Sequence, residues 1–442
     1  MKTTINIISK CSLYILFILP LFLVSCSDDD DHKTVRIDRV WTNKLDVETH
    51  VITTAFTQDW VRLEGTGFDG LKAIYCNGKS ATVHPTYVTD KHITFQIPSG
   101  VPLATEIEDE TVRNTIRIVT ASGEAVYNDF IFKDATKMPN ITNVSYTMPN
   151  VGDNIYIEGS YLSETTEIYF PGDIKALNFQ VVNSNQINVT VPAGAGNVSG
   201  AIRIVCNGDD VYSPSYMFYK KGIFLKTFTE DVMVSGGNNG IKIYSNPVEI
   251  ATTTGLNSNP EYMLAIPATK QDISVAGSNN ISANFFKFFA YKGFNSVINA
   301  SDGEIAGSTL TENLAIQFDL YMNQPWISGA IPLRMNKNNN GTNKAYVYNI
   351  TPWQVLENNN IKPFNFASGW RSITVKFTDF PTLALGTLDD YINTITANNY
   401  EALIAFSNFD QNQDGHTARP ITNFQMYIAN IRLVPITKPV AE

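Results

Sequence analysis

An internal repeat constrains the fold of the first half of this chain. The segment Val61–Phe68 has a counterpart in Ile155–Leu162, 94 residues later, and the same offset relates Ile93–Pro98 to Ile187–Pro192. An Ile-Arg-Ile-Val segment also occurs twice, at an offset of 86, so the first copy carries eight additional residues. These segments alternate apolar and polar residues and are bounded by Gly, Pro or Asn, which is the pattern of half-buried β-strands. The sequence therefore predicts two similar all-β sandwich domains.

Three motifs recur in each copy: a strand that ends in Glu-Gly-x-x-Phe/Leu, a later strand that closes on proline, and the final Ile-Arg-Ile-Val strand. In this combination they resemble the immunoglobulin-like IPT/TIG domains. The resemblance implies one such domain over residues 34–135 and a second over residues 136–220. We interpret Gly65 and Gly159 as relieving strain at a turn, because glycine has no Cβ.

The aromatic residues of these two domains have a structural interpretation. Trp41, Trp60 and Tyr161 are single aromatics, which in small sandwiches are more often core or staple residues than part of a binding site. The two domains are therefore interpreted as rigid spacers. The short junctions at Lys133–Pro139 and Tyr219–Gly222 are not Gly/Ser linkers and predict little freedom between the domains.

The repeat is absent from residues 221–442, which are rich in Phe, Tyr and Asn. Alternating runs continue there, at Leu314–Leu320, Ile373–Phe377 and Phe424–Ile428, and one short helix is expected at Asp389–Ala397. This pattern predicts a larger antiparallel β-sandwich of the jelly-roll type. The chain as a whole is predicted to be all-β.

Four aromatic residues of this C-terminal domain are candidates for a binding site. Trp326 and Trp353 each follow a proline in an expected loop. Tyr346 and Tyr348 are two residues apart in a short segment and lie on the same face of it. A pyranose presents C–H bonds on one face and hydroxyls at its rim, so its site needs exposed aromatic planes with amide or hydroxyl partners. The two tyrosines fit equally a strand whose rings pack on the core. Trp370 opens a strand, as the core tryptophan of sandwich carbohydrate-binding modules does, and is interpreted as structural.

The first residues carry an export signal. Residues 1–25 combine two lysines with an apolar run too short to span a bilayer comfortably, which is typical of a secretory signal. Leu23–Cys26 resembles the lipobox of bacterial lipoproteins, and the resemblance implies that Cys26 is acylated and becomes the first mature residue. Residues 26–33 contain four consecutive aspartates and form an acidic tether, which resembles the export tag of lipoproteins on the outer face of Gram-negative outer membranes.

Composition excludes several classes of partner and site. Removal of residues 1–25 takes away two lysines and no acidic residue, which leaves 30 basic against 42 acidic residues. A surface of this charge repels phosphate backbones, so nucleic acid is not an expected partner. Cys76 and Cys206 remain after processing and are expected to be buried free thiols. No Cys/His cluster is present, so no metal site and no cofactor are predicted.

The sequence offers little for catalysis. Glycoside hydrolysis needs two carboxylates about 5–10 Å apart. The pairs Asp302/Glu304 and Asp389/Asp390 are available but belong to no motif. The loop Asp410–Gly415 has the first half of a calcium-binding loop without the glutamate required at its twelfth position, so a polar turn is favoured over a calcium site. No enzymatic activity is predicted.

Taken together, these features resemble the B-type surface glycan-binding proteins of Gram-negative polysaccharide-utilisation systems. The resemblance implies a lipoprotein held at the outer membrane through Cys26 and facing the cell exterior. Its expected ligand is a neutral plant-type β-glucan or xyloglucan-like chain, and its expected partners are an outer-membrane glycan importer and a co-expressed surface glycan-binding lipoprotein. The alternative is a surface adhesin or assembly subunit that binds a protein through its Ig-like domains, which predicts a contiguous apolar patch on one of them.

Overall fold

The structure, a computed structural model, divides the chain into two compact units, Met1–Met138 and Pro139–Glu442. It describes residues 34–43, 49–224, 241–256, 260–275, 285–288, 305–338, 346–356, 360–367, 369–380, 386–398, 400–409 and 418–436. Cys26, the acidic tether and the loop Asp410–Gly415 lie outside these ranges. None of the helices within the described ranges has the length and apolar character needed to cross a membrane.

The first unit is a β-sandwich. Its strands are β1 (Arg36–Thr42), β2 (Thr54–Phe56), β3 (Trp60–Thr66), β4 (Ala73–Cys76), β5 (Lys79–Ala81), β6 (His92–Gln96), β7 (Ile116–Val119), β8 (Glu124–Tyr127) and β9 (Ile131–Lys133). One sheet has the order β1-β3-β6, the other β5-β4-β7-β8, and β2 pairs with β9 in parallel. Alternate residues of β3, β4 and β7 are buried between the sheets, so the predicted period of two is confirmed.

The second sandwich repeats this plan within the second unit. Its strands are β10 (Asn140–Val144), β11 (Asn154–Ser160), β12 (Thr165–Phe170), β13 (Ile174–Lys175), β14 (Phe179–Asn183), β15 (Gln186–Thr190), β16 (Arg203–Cys206) and β17 (Asp209–Tyr212). The sheet orders are β10-β11-β15-β14 and β13-β12-β16-β17. Cys76 and Cys206 are buried and free, as expected, and burial raises the pKa of the Cys76 thiol to about 12.

The repeated glycines have a different role from the one expected. Gly65 and Gly159 lie inside β3 and β11, not at a turn, and neither has a left-handed backbone. A Cβ atom added at Gly65 would lie 1.9 Å from the carbonyl oxygen of Arg36, and one at Gly159 would lie 1.9 Å from that of Asn140. Glycine is therefore required at both positions, because the neighbouring strand approaches too closely for any side chain.

We expect Gly159→Ala to lower the free energy of unfolding of the second sandwich by about 1–3 kcal/mol, because the added methyl group must push β10 away. Gly196→Ala is the matched control, since its added Cβ meets only a side-chain carbon of Val151 at 3.3 Å. Hydrogen exchange of β11 and β15 amides in increasing denaturant measures the difference. Equal protection in the two variants would contradict this explanation of the repeat.

The C-terminal domain is a larger sandwich. Its strands are β18 (Ile223–Phe224), β19 (Lys242–Tyr244), β20 (Met263–Ile273), β21 (Phe285–Phe288), β22 (Leu314–Met322), β23 (Ile331–Asn338), β24 (Tyr346–Ile350), β25 (Gln354–Val355), β26 (Ile361–Lys362), β27 (Arg371–Lys376), β28 (Tyr400–Ala405) and β29 (Ile421–Pro435), with helices α1 (Pro247–Thr254) and α2 (Leu388–Asn398). One sheet has the order β19-β20-β29-β22-β27, with β18 also paired to β29, and the facing sheet has the order β21-β28-β23-β24. The all-β prediction and the helix expected at α2 are confirmed.

The second sandwich and the C-terminal domain share a continuous core within the second unit. Trp370, Tyr427 and Ala429 of the C-terminal domain belong to the same buried cluster as Ile155 and Val189 of the sandwich. The interpretation of Trp370 as structural is confirmed, because its side chain is only 2% exposed.

Buried polar groups connect the same two domains. Arg371 Nη2 lies 3.1 Å from both carboxylate oxygens of Glu158, the glutamate of the repeated Glu-Gly motif. Ser372 accepts a hydrogen bond from the backbone N–H of Thr147 at 2.9 Å and donates one to Asp319 at 2.6 Å. The C-terminal domain is thus attached to the second sandwich by packing and by charged hydrogen bonds, which goes beyond what the short junction indicated.

Candidate functional site

Trp326 lies between β22 and β23, and its indole is directed inward. Its side chain is 2% exposed, and Nε1 donates hydrogen bonds to the carbonyl oxygens of Ser328 at 2.9 Å and Gly329 at 3.2 Å. Its backbone N–H and C=O both pair with Phe364 at 3.0 Å, which fixes the segment against a neighbouring loop. The loop position was predicted correctly, but the predicted exposure of the ring was wrong.

Trp353 is held in the same way. It is 2% exposed, and its Nε1 donates to the carbonyl oxygen of Gly329 at 2.9 Å. Two indoles therefore converge on one carbonyl, at a glycine whose φ is +76° and whose position leaves no room for a Cβ atom. The physical reason is that an indole N–H must find an acceptor when it is buried, and Gly329 supplies it. Neither tryptophan offers an exposed plane for a sugar ring.

Tyr346 and Tyr348 lie on β24, at the end of the sheet order β21-β28-β23-β24. They pair with Met335 and Leu333 in the neighbouring strand, two fully buried residues, so their rings point toward the core side of the sheet. Both remain partly exposed at the sheet edge. Burial raises the pKa of Tyr348, with a smaller contribution from the charge of Asp379. Of the four predicted residues, these two are partly exposed, whereas Trp326 and Trp353 are buried.

A groove of about 220 Å³ lies beside the backbone of the Trp326 segment. Pro325, Ile327 and Phe424 supply apolar wall, and Ile327 is 38% exposed. Gln324 and Thr422 supply polar groups, and Gln324 Nε2 donates to the carbonyl oxygen of Thr422 at 3.2 Å. Apolar wall with a few amide and hydroxyl groups, and no carboxylate among the lining residues, suits binding of a neutral polar ligand.

Of the carboxylates that sequence analysis considered for catalysis, Asp390 has a structural role. Asp390 accepts hydrogen bonds from the Thr387 hydroxyl at 2.6 Å and from the Thr387 backbone N–H at 3.0 Å, and these bonds lower its pKa. Asp389 lies beside it in the first turn of α2, where its backbone N–H donates to Gly307. Asp302 and Glu304 lie outside the described residues. Throughout the part of the chain that the structure describes, there is no group of three or more His, Cys, Asp or Glu side chains that could hold a metal ion.

The sequence of the C-terminal domain matches a known family. Residues 248–435 match the family model described as the surface glycan-binding protein B xyloglucan binding domain. The C-terminal domain is therefore similar in sequence to this family. Residues 139–219 match the IPT/TIG domain model. The resemblance to B-type surface glycan-binding proteins with IPT/TIG domains is thereby confirmed.

Two solved structures align with most of this chain. The surface glycan-binding protein B from Prevotella bryantii aligns over 91% of this chain and 99% of that chain, with 15% identity and a TM-score of 0.59. The SGBP-B from a complex xyloglucan utilization locus in Bacteroides uniformis aligns over 91% of this chain and all of that chain, with 14% identity and a TM-score of 0.42. The alignment to the Prevotella protein shows that the chain shares its fold.

A curated relative, an IPT/TIG domain-containing protein of Bacteroides ovatus, is 27% identical over 193 residues. That region is 40% of this chain and 38% of the relative, so the match spans well under half of the relative's length.

Proposed function

We propose that this protein is a non-catalytic surface glycan-binding protein whose C-terminal domain binds a neutral polysaccharide, a plant-type β-glucan or a xyloglucan-like chain. The observation that carries this proposal is the match of residues 248–435 to the surface glycan-binding protein B xyloglucan binding domain. The structure is compatible with it, because those residues form most of the two facing sheets and line the groove beside Trp326. Incubation of the purified chain with polysaccharide tests the absence of catalysis, and release of reducing ends would contradict it.

The proposal places the protein at the outer face of an outer membrane. The lipobox-like Leu23–Cys26 and the aspartates that come after it support a lipid anchor at Cys26. Two or three acyl chains bury enough methylene groups, at about 0.8 kcal/mol each, to hold the protein without a membrane-spanning helix. There it would present captured polysaccharide to an outer-membrane glycan importer beside a co-expressed glycan-binding lipoprotein.

Within the C-terminal domain, we place the ligand along the edge strand β24. Tyr346 and Tyr348 lie two residues apart on the same face of that strand, and both residues are partly exposed. Rings two residues apart on a strand lie about 6.5 Å from each other, a spacing at which they contact neighbouring parts of an extended chain. Stacking on these rings requires no charge and no metal.

Replacing both tyrosines with alanine is expected to weaken polysaccharide binding about ten-fold, which corresponds to about 1.4 kcal/mol, because the aromatic contact area is lost. Isothermal titration with a panel of soluble xyloglucan and β-glucans measures it. The matched control is the double Tyr→Phe variant, which keeps the rings and should bind within about two-fold of the unaltered chain. If the alanine variant binds as tightly as the unaltered chain, the site lies elsewhere, and the groove beside Trp326 is next to be tested.

A further inference from the structure

Strongly exposed aromatic side chains lie in the first sandwich, outside the residues that sequence analysis proposed for glycan binding. Trp326, Trp353 and Trp370 of the C-terminal domain are each 2% exposed. In the first sandwich, Trp60 is 40% exposed and Tyr87 is 50% exposed. Trp60 is therefore not a core residue.

Trp60 and Tyr87 form a corner, here named the Trp60–Tyr87 corner. Their ring centroids are 6.0 Å apart, and the ring planes meet at 82°. His84 also packs against Tyr87, with its ring centroid 6.0 Å from that of the tyrosine. A ligand with a flat apolar face and a polar rim, such as a sugar ring, can stack on one of these aromatic rings while its edge contacts the other.

Rigid backbone elements hold both rings in place. Trp60 opens β3, where Val61 and Leu63 are buried in the core, so the alternation of the strand turns Trp60 outward. Tyr87 ends a 3₁₀ turn that begins with Pro85, and its backbone N–H donates to the carbonyl oxygen of His84 at 2.9 Å. Preorganised rings lose little conformational entropy when a ligand binds.

A neutral amide also lies beside the corner. Gln96 is opposite Trp60 in the β3–β6 register, and its Nε2 donates to the carbonyl oxygen of Gln58 at 2.9 Å. That bond orients the amide, and Oε1 is then placed to accept a hydrogen bond from a ligand hydroxyl.

Charged groups on the same face are engaged with a different ring. Arg62 lies 5.6 Å from the ring centroid of Trp41, and Glu64 accepts the indole N–H of Trp41 at 2.6 Å. An aromatic corner with a side-chain amide favours a neutral polyhydroxylated ligand over a charged one.

We propose that the Trp60–Tyr87 corner is a second carbohydrate-contact site, which takes a neutral pyranose unit of a polysaccharide. The inference rests on the proposed glycan binding and gives the first sandwich a binding role in place of a spacer role. A polysaccharide repeats the same unit many times, so two weak sites on one chain raise the apparent affinity for a polymer more than for a short oligosaccharide.

Acrylamide quenching of tryptophan fluorescence tests the site directly in the full chain. Because Trp326, Trp353 and Trp370 are buried, Trp60 supplies most of the quenchable signal, with a smaller part from the half-buried Trp41. Soluble xyloglucan or β-glucan is expected to reduce quenching in the unaltered chain and in the Tyr346→Ala/Tyr348→Ala variant. That protection should be lost in Trp60→Phe, which identifies the responsible ring.

Affinity measurements on the same samples complete the test. Trp60→Ala and Tyr87→Ala should each weaken polysaccharide binding about two- to ten-fold, while Val126→Ala, which trims another exposed side chain of this sandwich, should leave it unchanged. If the glycan gives the unaltered chain no protection from quenching, and Trp60→Ala and Tyr87→Ala bind it as tightly as the unaltered chain does, this inference alone is overturned. If the unaltered chain binds no glycan in the panel, the proposed function and this inference both fail.

Discussion

Trp326→Ala and Trp353→Ala are each expected to lower the free energy of unfolding of the C-terminal domain by about 3–5 kcal/mol. Both side chains are 2% exposed and belong to the main core cluster of that domain, so truncation leaves a large cavity. Each substitution also removes one of the indole N–H groups that converge on Gly329. Differential scanning calorimetry should show a melting temperature lower by on the order of 10 °C.

Two comparisons distinguish a structural role of Trp326 and Trp353 from a role in glycan binding. Trp60→Ala removes the same side chain from an exposed position and should change stability by no more than about 0.5 kcal/mol. Trp326→Phe and Trp353→Phe keep most of the packing and lose the indole N–H, so they should fall between the two extremes. If Trp326→Ala melts like the unaltered chain and yet loses glycan binding, Trp326 is a binding platform and its buried position does not describe the binding-competent protein.

Arg432→Met is expected to destabilise the second unit by about 3–5 kcal/mol, because it leaves a buried carboxylate without its compensating charge. Arg432 is fully buried on β29, and its Nη2 donates to the Thr147 hydroxyl at 2.6 Å and to the Tyr219 carbonyl at 3.2 Å. It also donates to Gln317, and its charge favours the ionised form of the fully buried Asp319. One side chain thus joins the second sandwich to the C-terminal domain, and amides on both sides should exchange faster in the variant.

The double variant Arg432→Met/Asp319→Asn tests whether the unpaired charge of Asp319 causes this loss of stability. The double variant should be more stable than Arg432→Met alone, because no unpaired charge remains. Burial already raises the pKa of Asp319, so its folded form takes up a proton more readily than its unfolded form, and lowering the pH should restore part of the stability of Arg432→Met. Arg203→Ala, at a partly exposed ion pair with Asp210, should cost at most about 1 kcal/mol. A loss below about 1 kcal/mol in Arg432→Met would show that the charge is not needed.

The local pattern of the sequence was sufficient for the β-strands. The period of two in Val61–Phe68 and Ile155–Leu162 predicted β3 and β11, because strands expose alternate side chains to a core and to solvent. The same pattern turns Trp60 outward, since Val61 is buried, so the exposed tryptophan could have been found from the phase of its strand. The residue type alone does not indicate that Trp60 is exposed.

For the two Pro-Trp pairs, the local sequence was not sufficient. Proline restricts the backbone before Trp326 and Trp353, but it does not determine the direction in which the indole ring points. That direction depends on Gly329, whose carbonyl lies within reach of both indoles only after the loops around β23 have packed together.

The sequence by itself determined the repeat, the strand-rich fold class, the resemblance to surface glycan-binding proteins and the absence of catalytic motifs, because these depend on residue order and period. The tertiary structure decided which aromatic rings are buried, why Gly65 and Gly159 cannot carry a side chain, and how Arg432 ties two domains together. Each of these depends on atoms from segments far apart in the chain, where burial and hydrogen-bond partners are set by packing and not by local sequence.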